Sequence, residues 1–273
     1  MKEFNEKINY LLWRLFIKIK PINKIKLDRF IKNNSYLVIA IGNYGFLKLI
    51  LNWAEYLKKL KITNYIVFTA DKRVYKELSK SNINTYFLET NIKVSKNSQF
   101  YKSLGFNKLV YLKLLIVYRL LKLNINILLS DVDTVWLKDP IRYINTKDYD
   151  LQIQSDDPDF KPKEKSSFNT GLYYAKSNKK TIRFFKKVLN LSLIIPNRTD
   201  QEYFISILKR DKKLNFNILD PLIFPNGSLY FKKNSEFKKF NTHPSIIHVN
   251  WIDGIENKIQ IMKEFNFWNL KNG

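Results

Sequence analysis

The sequence predicts a single α/β domain in which a mixed, mostly parallel sheet is flanked by helices. In the first half of the chain, short apolar segments alternate with amphipathic segments of helical spacing. In the second half, shorter strand-like segments follow one another less regularly. The 273 residues contain no segment of linker composition and are enough for one large core. Strands and helices that alternate at this spacing are typical of parallel sheets.

Four apolar segments of the first half are predicted strands, namely YLVIAI (36–41), YIVFTA (65–70), NTYFLE (84–89) and NINILLS (124–130). The segment FLKLILNWAEYLKKL, between the first two, is a predicted helix because its apolar residues recur at helical spacing. A basic segment that follows the second strand is a further predicted helix. A long apolar helix is predicted over 107–123, directly before the fourth strand.

The second half contains three short strand candidates, LQIQ (151–154), GLYYA (171–175) and SIIHV (245–249). Predicted helices near 180–192 and over 200–209 lie between them. We expect these strands to continue the same sheet with antiparallel additions, because no segment between them has the composition of a domain boundary.

Residues 1–34 are predicted to form a basic amphipathic helical segment ahead of a domain that spans 35–273. Apolar residues lie at helical spacing between 8 and 19, and lysines and an arginine flank this stripe. Such a helix can lie on a membrane surface, here through residues 7–20. The more common alternative is that it packs against its own domain.

The formal net charge is +24, from 48 basic and 24 acidic residues, and it favours polyanionic partners. Nucleic acid is not the expected partner, because the basic residues are dispersed and no nucleic-acid-binding motif is present. An AT-rich genome, which enriches Lys, Asn and Ile, is an alternative origin of the charge. The absence of cysteine excludes disulfides and thiolate zinc sites.

The most apolar segment, 109–123, is interrupted by Lys113, Arg119 and Lys122 and falls short of a membrane-spanning run. The N-terminus lacks the small-residue cleavage site of a signal peptide. We therefore expect a cytoplasmic protein, with peripheral membrane contact as the alternative.

The segment LLSDVDTVWLKDP (128–140) carries the clearest chemical signal, two aspartates at the end of an apolar strand. In an extended strand Asp131 and Asp133 face the same side, and α/β sheets bind ligands beyond the carboxyl ends of their strands. Two carboxylates at that position suit Mg²⁺ or Mn²⁺. The pairs Asp148/Asp150 and Asp157/Asp159 have the same spacing, but they do not follow a fully apolar strand.

The run YLKLLIVYRLLKLNINILLSDVDTVWLKDP resembles the nucleotide-diphospho-sugar transferase family, which includes plant xylosyl-, galactosyl- and arabinosyltransferases. More distantly it resembles the glycogenin and lipopolysaccharide galactosyltransferase group. Further stretches agree in order: LQIQSDD, FNTGLYYA, TDQEYF, FPNGSLYF and IIHVNWIDGIENK. The resemblance implies a Rossmann-like GT-A fold. It also implies retaining, metal-dependent transfer of a sugar from a nucleotide-diphospho-sugar, expected to be a UDP-sugar, to a hydroxyl of a glycan, glycoprotein or other acceptor.

By this resemblance, Asp131, Asp133 and His248 bind the metal ion, although a lone histidine in SIIHV is more often an ordinary strand residue. Gly254 and Lys258 are expected beside the donor diphosphate, since a Gly permits close backbone approach and a Lys neutralises charge. Lys113, in an apolar helix, needs a partner such as donor phosphate or the metal-site carboxylates, unless it extends to solvent.

The resemblance places the donor sugar beside Asn169 and Gly171, with Asp200 and Gln201 beneath the sugar ring as catalytic candidates. Asp200 has an alternative role as the cap of the helix that follows, with Thr199 as its rival. A second acidic cluster, Asp156 and Asp157, is expected near the acceptor.

The remaining donor-binding candidates lie at the ends of three predicted strands. Those expected to hold the nucleoside lie at the ends of the first and second strands, and two others adjoin Asp131, one on each side: Ile41, Gly42, Asn43, Tyr44, Asp71, Ser130 and Val132. The alternatives to a glycosyltransferase are a basic protein that binds nucleic acid or a membrane surface, and a catalytically inactive relative. Intact Asp131, Asp133 and His248 argue against the inactive relative.

Overall fold

The computed structural model describes residues 17–31, 36–91, 104–160, 167–195 and 198–270, with the side chains of 104–107 and 193 left aside. Most of the predicted N-terminal stripe, and the predicted boundary at 34/35, lie outside these residues. A first helix, α1, spans Lys24–Ile31. Among the residues that the structure describes, no helix has the length and apolar character needed to cross a membrane.

The first half of the chain forms alternating strands and helices, as predicted. The strands are β1 (Leu37–Ile41), β2 (Tyr65–Thr69), β3 (Thr85–Phe87) and β4 (Ile127–Ser130). The helices between them are α2 (Leu47–Lys59), α3 (Lys72–Lys80) and α4 (Leu104–Lys122).

The second half adds strands β5 (Thr134–Trp136), β6 (Leu151–Ser155), β7 (Phe168–Ala175), β8 (Phe216–Ile218) and β9 (Ile246–His248). Its helices are α5 (Lys179–Ile194), α6 (Asp200–Leu208), α7 (Asn234–Lys239) and α8 (Ile255–Glu264). Strands β5 and β8 are short and were not predicted from the apolar pattern.

Seven strands form one sheet in the order β3-β2-β1-β4-β7-β6-β8. Strands β1 to β4 are parallel to one another, β7 is antiparallel to both β4 and β6, and β8 is parallel to β6. The predicted mixed, mostly parallel sheet is confirmed. Because β1, β2 and β4 run in one direction, their carboxyl ends meet at the same edge.

Both faces of the sheet are covered, and this explains why its central strands are apolar throughout. In β1, Leu37 and Ile39 join the core beneath α1, α4, α5 and α6. Val38 and Ala40 join the core on the opposite face, which α2, α3, α8 and the β5–β9 ribbon cover. A strand buried on both faces has no alternation of polar and apolar residues. In the sequence, such a strand is recognised by its length and by the residues that flank it.

The prediction that SIIHV joins the main sheet is wrong. Its strand, β9, pairs antiparallel with β5 in a separate two-stranded sheet. Strand β4 cannot accept it, because β1 and β7 already occupy both of its edges. This ribbon brings the end of β9 to the residues that follow β4.

Asp211 follows α6 and links this part of the chain to α5. Its contacts provide a test of what stabilises the fold. Its carboxylate contacts Arg183 Nη2 at 2.6 Å and Lys187 Nζ at 3.1 Å, and it accepts a hydrogen bond from Lys213 N at 3.0 Å. Burial by itself raises the pKa of Asp211, but the Lys213 amide, Lys187 and Arg183 together bring it below its ordinary value.

We expect Asp211→Asn to lower the free energy of unfolding by about 2 kcal/mol at neutral pH, since charge-assisted hydrogen bonds are lost. A carboxyl group whose pKa is lowered by folding contributes stability above its unfolded pKa and loses it as pH falls. The difference in free energy of unfolding between variant and wild type, measured with urea, should therefore shrink as the pH falls toward about 3. The exposed Asp28, changed to Asn, is the control. A pH-independent difference would contradict this account.

Candidate active site

Asp131 and Asp133 lie just beyond the carboxyl end of β4, as predicted, but not in an extended strand. The segment between β4 and β5 is a tight turn. Thr134 Oγ1 stabilises it by donating a hydrogen bond to the Asp131 carbonyl at 2.8 Å. The prediction that the two aspartates lie on one side of an extended strand is therefore wrong. The turn brings the two carboxylates together because the chain reverses there to begin β5.

A buried polar network supports this turn from below. Ser130 Oγ and Thr134 Oγ1 are 2.7 Å apart, and Trp53 Nε1 donates to Ser130 Oγ at 3.3 Å. Trp136 Nε1 donates to Thr134 Oγ1 at 3.1 Å. The side chains of the predicted donor-binding residues Ser130 and Val132 are buried, the first in this network and the second in the apolar core. Their side chains therefore hold the turn.

His248, at the end of β9, completes a group of possible metal ligands. It lies opposite Thr134 in the β5–β9 register. One ligand atom from each of Asp131, Asp133 and His248 lies within 4.8 Å of the others. The structure thus brings His248 to the two aspartates, which lie far before it in the sequence, and these three residues were predicted as the metal site.

Gln154, on β6, determines which nitrogen of His248 faces the aspartates. Its Nε2 donates to the carbonyls of Phe224 and Pro225 at 3.0 and 3.1 Å, so its Oε1 is the acceptor for His248 Nδ1 at 2.9 Å. The other ring nitrogen, Nε2, then faces Asp133 Oδ1 at 3.3 Å. A histidine held through one nitrogen, with its other nitrogen beside carboxylates, is the usual arrangement at metal sites.

Two lysines neutralise the aspartates from opposite sides. Lys258 Nζ lies 2.7 Å from Asp133 Oδ2 and donates to the Val249 carbonyl at 2.6 Å. Lys113 Nζ lies 3.4 Å from Asp131 Oδ1 and 2.8 Å from Asp200 Oδ2. The Lys113 side chain is largely buried and does not extend to solvent, so the alternative of a solvent-directed lysine is wrong.

The two aspartates differ in electrostatic environment. Burial raises the pKa of Asp131, against the lowering effect of Lys113. Burial by itself would also raise the pKa of Asp133, but Lys258 and His248 bring it well below its ordinary value. The pKa of Lys113 is raised by Asp131 and Asp200, although its burial alone would lower it. Lys113 therefore remains a fixed positive charge beneath the site.

Asp200 is the first residue of α6 and is not its cap. Thr199 is the N-cap, and it forms a capping box with Glu202. Asp200 is buried, and besides Lys113 its Oδ2 accepts a hydrogen bond from Thr170 Oγ1 at 2.9 Å. The cap thus positions the start of α6 so that Asp200 faces Lys113.

Asp156, just after β6, accepts hydrogen bonds from four side chains. Asn169 Nδ2 and Asn250 Nδ2 donate to its Oδ1 at 3.0 Å, and Trp251 Nε1 does so at 3.2 Å. Gln201 Nε2 donates to its Oδ2 at 2.9 Å. Asn250 and Trp251 were not predicted, although they lie only two and three residues after His248. Asp156 therefore organises several parts of the site.

The neighbouring Asp157 belongs to a turn and does not share this arrangement. Its Oδ1 accepts from the amide of Asp159 at 3.3 Å, and its carbonyl accepts from Asn226. The other aspartate pair of the same spacing is also structural: Asp148 binds Asn145, and Asp150 binds Asn178.

Two of the predicted site residues are glycines, and glycine is required at each position for a different structural reason. A Cβ on Gly171 would lie 2.3 Å from His248 Cε1 and 2.7 Å from Asp131 Oδ2, so only glycine allows β7 to pass so close to these two residues. Gly254 has φ +82° at the start of α8 and is needed for that backbone angle, since the nearest atom to its Cβ would be 3.7 Å away. The expected approach of the donor diphosphate to the Gly254 backbone stays a prediction.

The predicted nucleoside residues gather at the carboxyl ends of β1 and β2. Asp71 accepts hydrogen bonds from the amides of Tyr44 at 3.1 Å and Arg73 at 2.9 Å, and thus joins the two strand ends. Ile41 ends β1, and the buried Gly42 and Asn43 follow it. Arg73, which was not predicted, places its guanidinium 3.5 Å from the centre of the Tyr44 ring.

Comparison with known proteins supports one family throughout. A family model described as nucleotide-diphospho-sugar transferase matches residues 60–262. UDP-galactose:fucoside alpha-3-galactosyltransferase from Dictyostelium discoideum is 27% identical over 88% of this chain and 44% of its own length. UDP-D-xylose:L-fucose alpha-1,3-D-xylosyltransferase MGP4 from Arabidopsis thaliana is 25% identical over 88% of this chain and 72% of its own length.

Solved structures agree on the fold. The galactosyltransferase LgtC, solved with donor and acceptor sugar analogues, superposes with a TM-score of 0.55 at 12% identity and covers 84% of this chain and 93% of its own. The predicted GT-A fold is confirmed. The chain spans about half the length of some curated relatives, including Beta-arabinofuranosyltransferase RAY1 from Arabidopsis thaliana, of which it covers 48%. The sheet order, the aspartates beyond β4 and the extent of the family match together show that this chain belongs to the nucleotide-diphospho-sugar transferase family.

Proposed function

We propose that this protein transfers a sugar from a UDP-sugar to a hydroxyl of a sugar acceptor, with retention of configuration and with Mn²⁺ or Mg²⁺ as cofactor. The observation that carries the proposal is the convergence of Asp131, Asp133 and the Nε2 atom of His248 at the carboxyl end of β4. Two carboxylates and a histidine whose other nitrogen is held by Gln154 form a donor set and an orientation that divalent ions use in proteins. The donor set therefore fits a divalent ion.

The residues around this group are suited to a diphosphate leaving group. The bound cation would neutralise charge that develops on the departing nucleoside diphosphate. Lys258, on α8, holds Asp133 and adds a second positive charge close to the same position. Lys113 keeps Asp131 and Asp200 in place from below, and its fixed charge does not depend on the donor.

Gln201 is the residue that we propose to face the sugar. It is more accessible than the buried Asp200, and Asp156 holds its amide nitrogen, so the amide oxygen is the group left to stabilise positive charge on the sugar ring. Asp200 is instead engaged by Lys113 and Thr170 and acts as a positioning residue. This division chooses between two candidates that the sequence left open.

The names of relatives support a substrate class. The Dictyostelium and Arabidopsis relatives are described as acting on a fucoside and on L-fucose, with UDP-galactose and UDP-D-xylose as donors. We therefore propose a UDP-sugar donor and a fucosyl acceptor. Tyr44 and Asp71, at the ends of β1 and β2, are the proposed nucleoside residues, with Arg73 beside the Tyr44 ring.

Calorimetric titration with UDP and with GDP, each with and without Mn²⁺, tests the proposal directly. We expect UDP to bind in the presence of Mn²⁺ and to bind at least about tenfold more weakly without it, because Asp131, Asp133 and His248 would hold the ion and the ion would neutralise the diphosphate. GDP serves as the matched nucleotide control. Binding of neither nucleotide by the folded protein, or equal binding with and without the ion, would overturn the proposal.

A further inference from the structure

Trp251 is exposed beside the proposed active site in an unfavourable backbone conformation. About half of it (47%) is accessible to solvent, three residues after His248. Its φ is +61°, in the left-handed region that bulky side chains rarely adopt. An exposed tryptophan in such a conformation has neither burial nor backbone preference to explain it. Conformations of this kind persist where the surrounding structure holds them, and they concentrate at functional sites.

The surrounding structure does hold Trp251. Its Nε1 donates to Asp156, so the polar edge of the indole is anchored. The preceding Asn250 donates to the same carboxylate oxygen and accepts from the amide of Gly227 at 2.7 Å. A Cβ on Gly227 would lie 1.9 Å from the Asn250 carbonyl oxygen, so the two backbones are in direct contact. The ring is therefore presented to solvent in a defined orientation.

The same contacts connect Trp251 to the proposed donor centre. Asp156 also binds Gln201, which we propose to face the sugar, and Asn169. The Asn169 side chain in turn accepts from the amide of Gly171 at 2.7 Å, where β7 passes His248 and Asp131. One carboxylate thus joins the exposed indole to residues on the sugar side of the site.

We infer that Trp251 is the platform on which the acceptor sugar stacks. This inference rests on the proposed function. Sugar sites combine an aromatic surface for the apolar C–H face of the ring with a few polar groups for its hydroxyls. The exposed Lys232 places its ammonium 5.6 Å from the centre of the Trp251 ring, where it can donate to a hydroxyl. A fucosyl residue suits this surface, because its C6 is a methyl group and enlarges the apolar face.

Binding of methyl α-L-fucopyranoside in the presence of saturating UDP and Mn²⁺, measured by titration NMR, tests the inference. We expect Trp251→Ala to weaken glycoside binding about tenfold through loss of the aromatic surface. Trp251→Phe keeps an aromatic face and should recover most of the affinity. The affinity for UDP should stay within about twofold of wild type in both variants, because the indole is on the acceptor side. Phe240→Ala is the matched control, since Phe240 is exposed to a similar extent (45%).

The outcomes separate this inference from the proposed function. If wild type binds UDP with Mn²⁺ but Trp251→Ala binds the glycoside normally, the inference is wrong and the proposed function stands. If wild type binds UDP with Mn²⁺ but not the glycoside, the inference and the proposed fucosyl acceptor are both wrong, and the proposed transfer from a UDP-sugar stands. If Trp251→Ala loses UDP and glycoside affinity together, Trp251 is only a structural support for the loop, and the inference is again wrong. If wild type binds no nucleotide, the proposed function fails first.

Discussion

Asp133→Asn is expected to abolish metal-dependent UDP binding and to reduce sugar transfer by at least about a hundredfold. Asp133 is the ligand candidate that both His248 and Lys258 contact, at 3.3 and 2.7 Å. An amide of the same size retains the shape of the turn but removes the charge that attracts a cation. Titration with UDP and Mn²⁺, and a transfer assay with UDP-galactose or UDP-xylose, measure the two effects.

The variant loses the charged contacts of Asp133 with Lys258 and His248 but should remain folded, because the amide keeps the shape of the turn and Thr134 still holds the Asp131 carbonyl. Asp159→Asn is a matched control, since Asp159 belongs to a pair of the same spacing but lies in an exposed turn beside Lys233. Normal Mn²⁺-dependent binding by folded Asp133→Asn would disprove the metal assignment. Unfolding of Asp133→Asn and of Asp131→Asn would show that the pair is structural.

Gly171→Ala is expected to have the second large effect, because its methyl group would overlap His248 and Asp131. Besides His248 and Asp131, its Cβ would lie 2.9 Å from Asn169 Oδ1. The neighbours cannot withdraw freely, since the amide of Asp131 donates to the Gly171 carbonyl at 2.6 Å and His248 is held by Gln154. We expect transfer to fall about a hundredfold, the typical cost of displacing catalytic groups by about 1 Å.

Overpacking should also destabilise the Gly171→Ala protein by about 1–3 kcal/mol. Leu172→Val, one residue along β7 in the apolar core, provides a control with a similar loss of stability by urea unfolding. If Leu172→Val loses as much transfer activity as Gly171→Ala, the effect comes from general destabilisation. If Gly171→Ala retains activity and Mn²⁺-dependent binding, the site tolerates the methyl group and our description of β7 is wrong.

The two variants together distinguish the roles of charge and geometry. Asp133→Asn changes charge at constant shape, whereas Gly171→Ala changes shape at constant charge. Loss of Mn²⁺-dependent binding in both would indicate that the ion needs both carboxylates and His248 in the arrangement that the structure describes. Loss in Asp133→Asn alone would place the contribution of Gly171 in donor-sugar binding.

Much of the fold was predictable because it depends on neighbouring residues. The segment LVIAI is apolar throughout and rich in β-branched residues, as is typical of a strand buried on both faces, and its bounds in the structure are Leu37–Ile41. The helix predicted over 107–123 spans Leu104–Lys122. The turn at 131–133 was missed, since the pattern Asp-Val-Asp is compatible with both a strand end and a turn.

Long-range contacts account for the features that were not predictable. Gln154 and His248 are 94 residues apart, and nothing near either residue indicates that one orients the other. Asn250 and Trp251 meet Asp156 only because β9 leaves the main sheet and pairs with β5. The contact between Arg73 and Tyr44 likewise requires β1 and β2 to end side by side.

By itself, the sequence determined the α/β class, the parallel first half, the family and the identity of the three metal-ligand candidates. These follow from local periodicity and from residue types in a specific order, both of which are encoded within short segments. Only the tertiary structure decided how the ligands face one another, which lysine serves which aspartate, and that Asp156 supports an exposed tryptophan. These depend on packing and hydrogen bonds between distant segments, such as the contact between Asp133 and Lys258 across 125 residues.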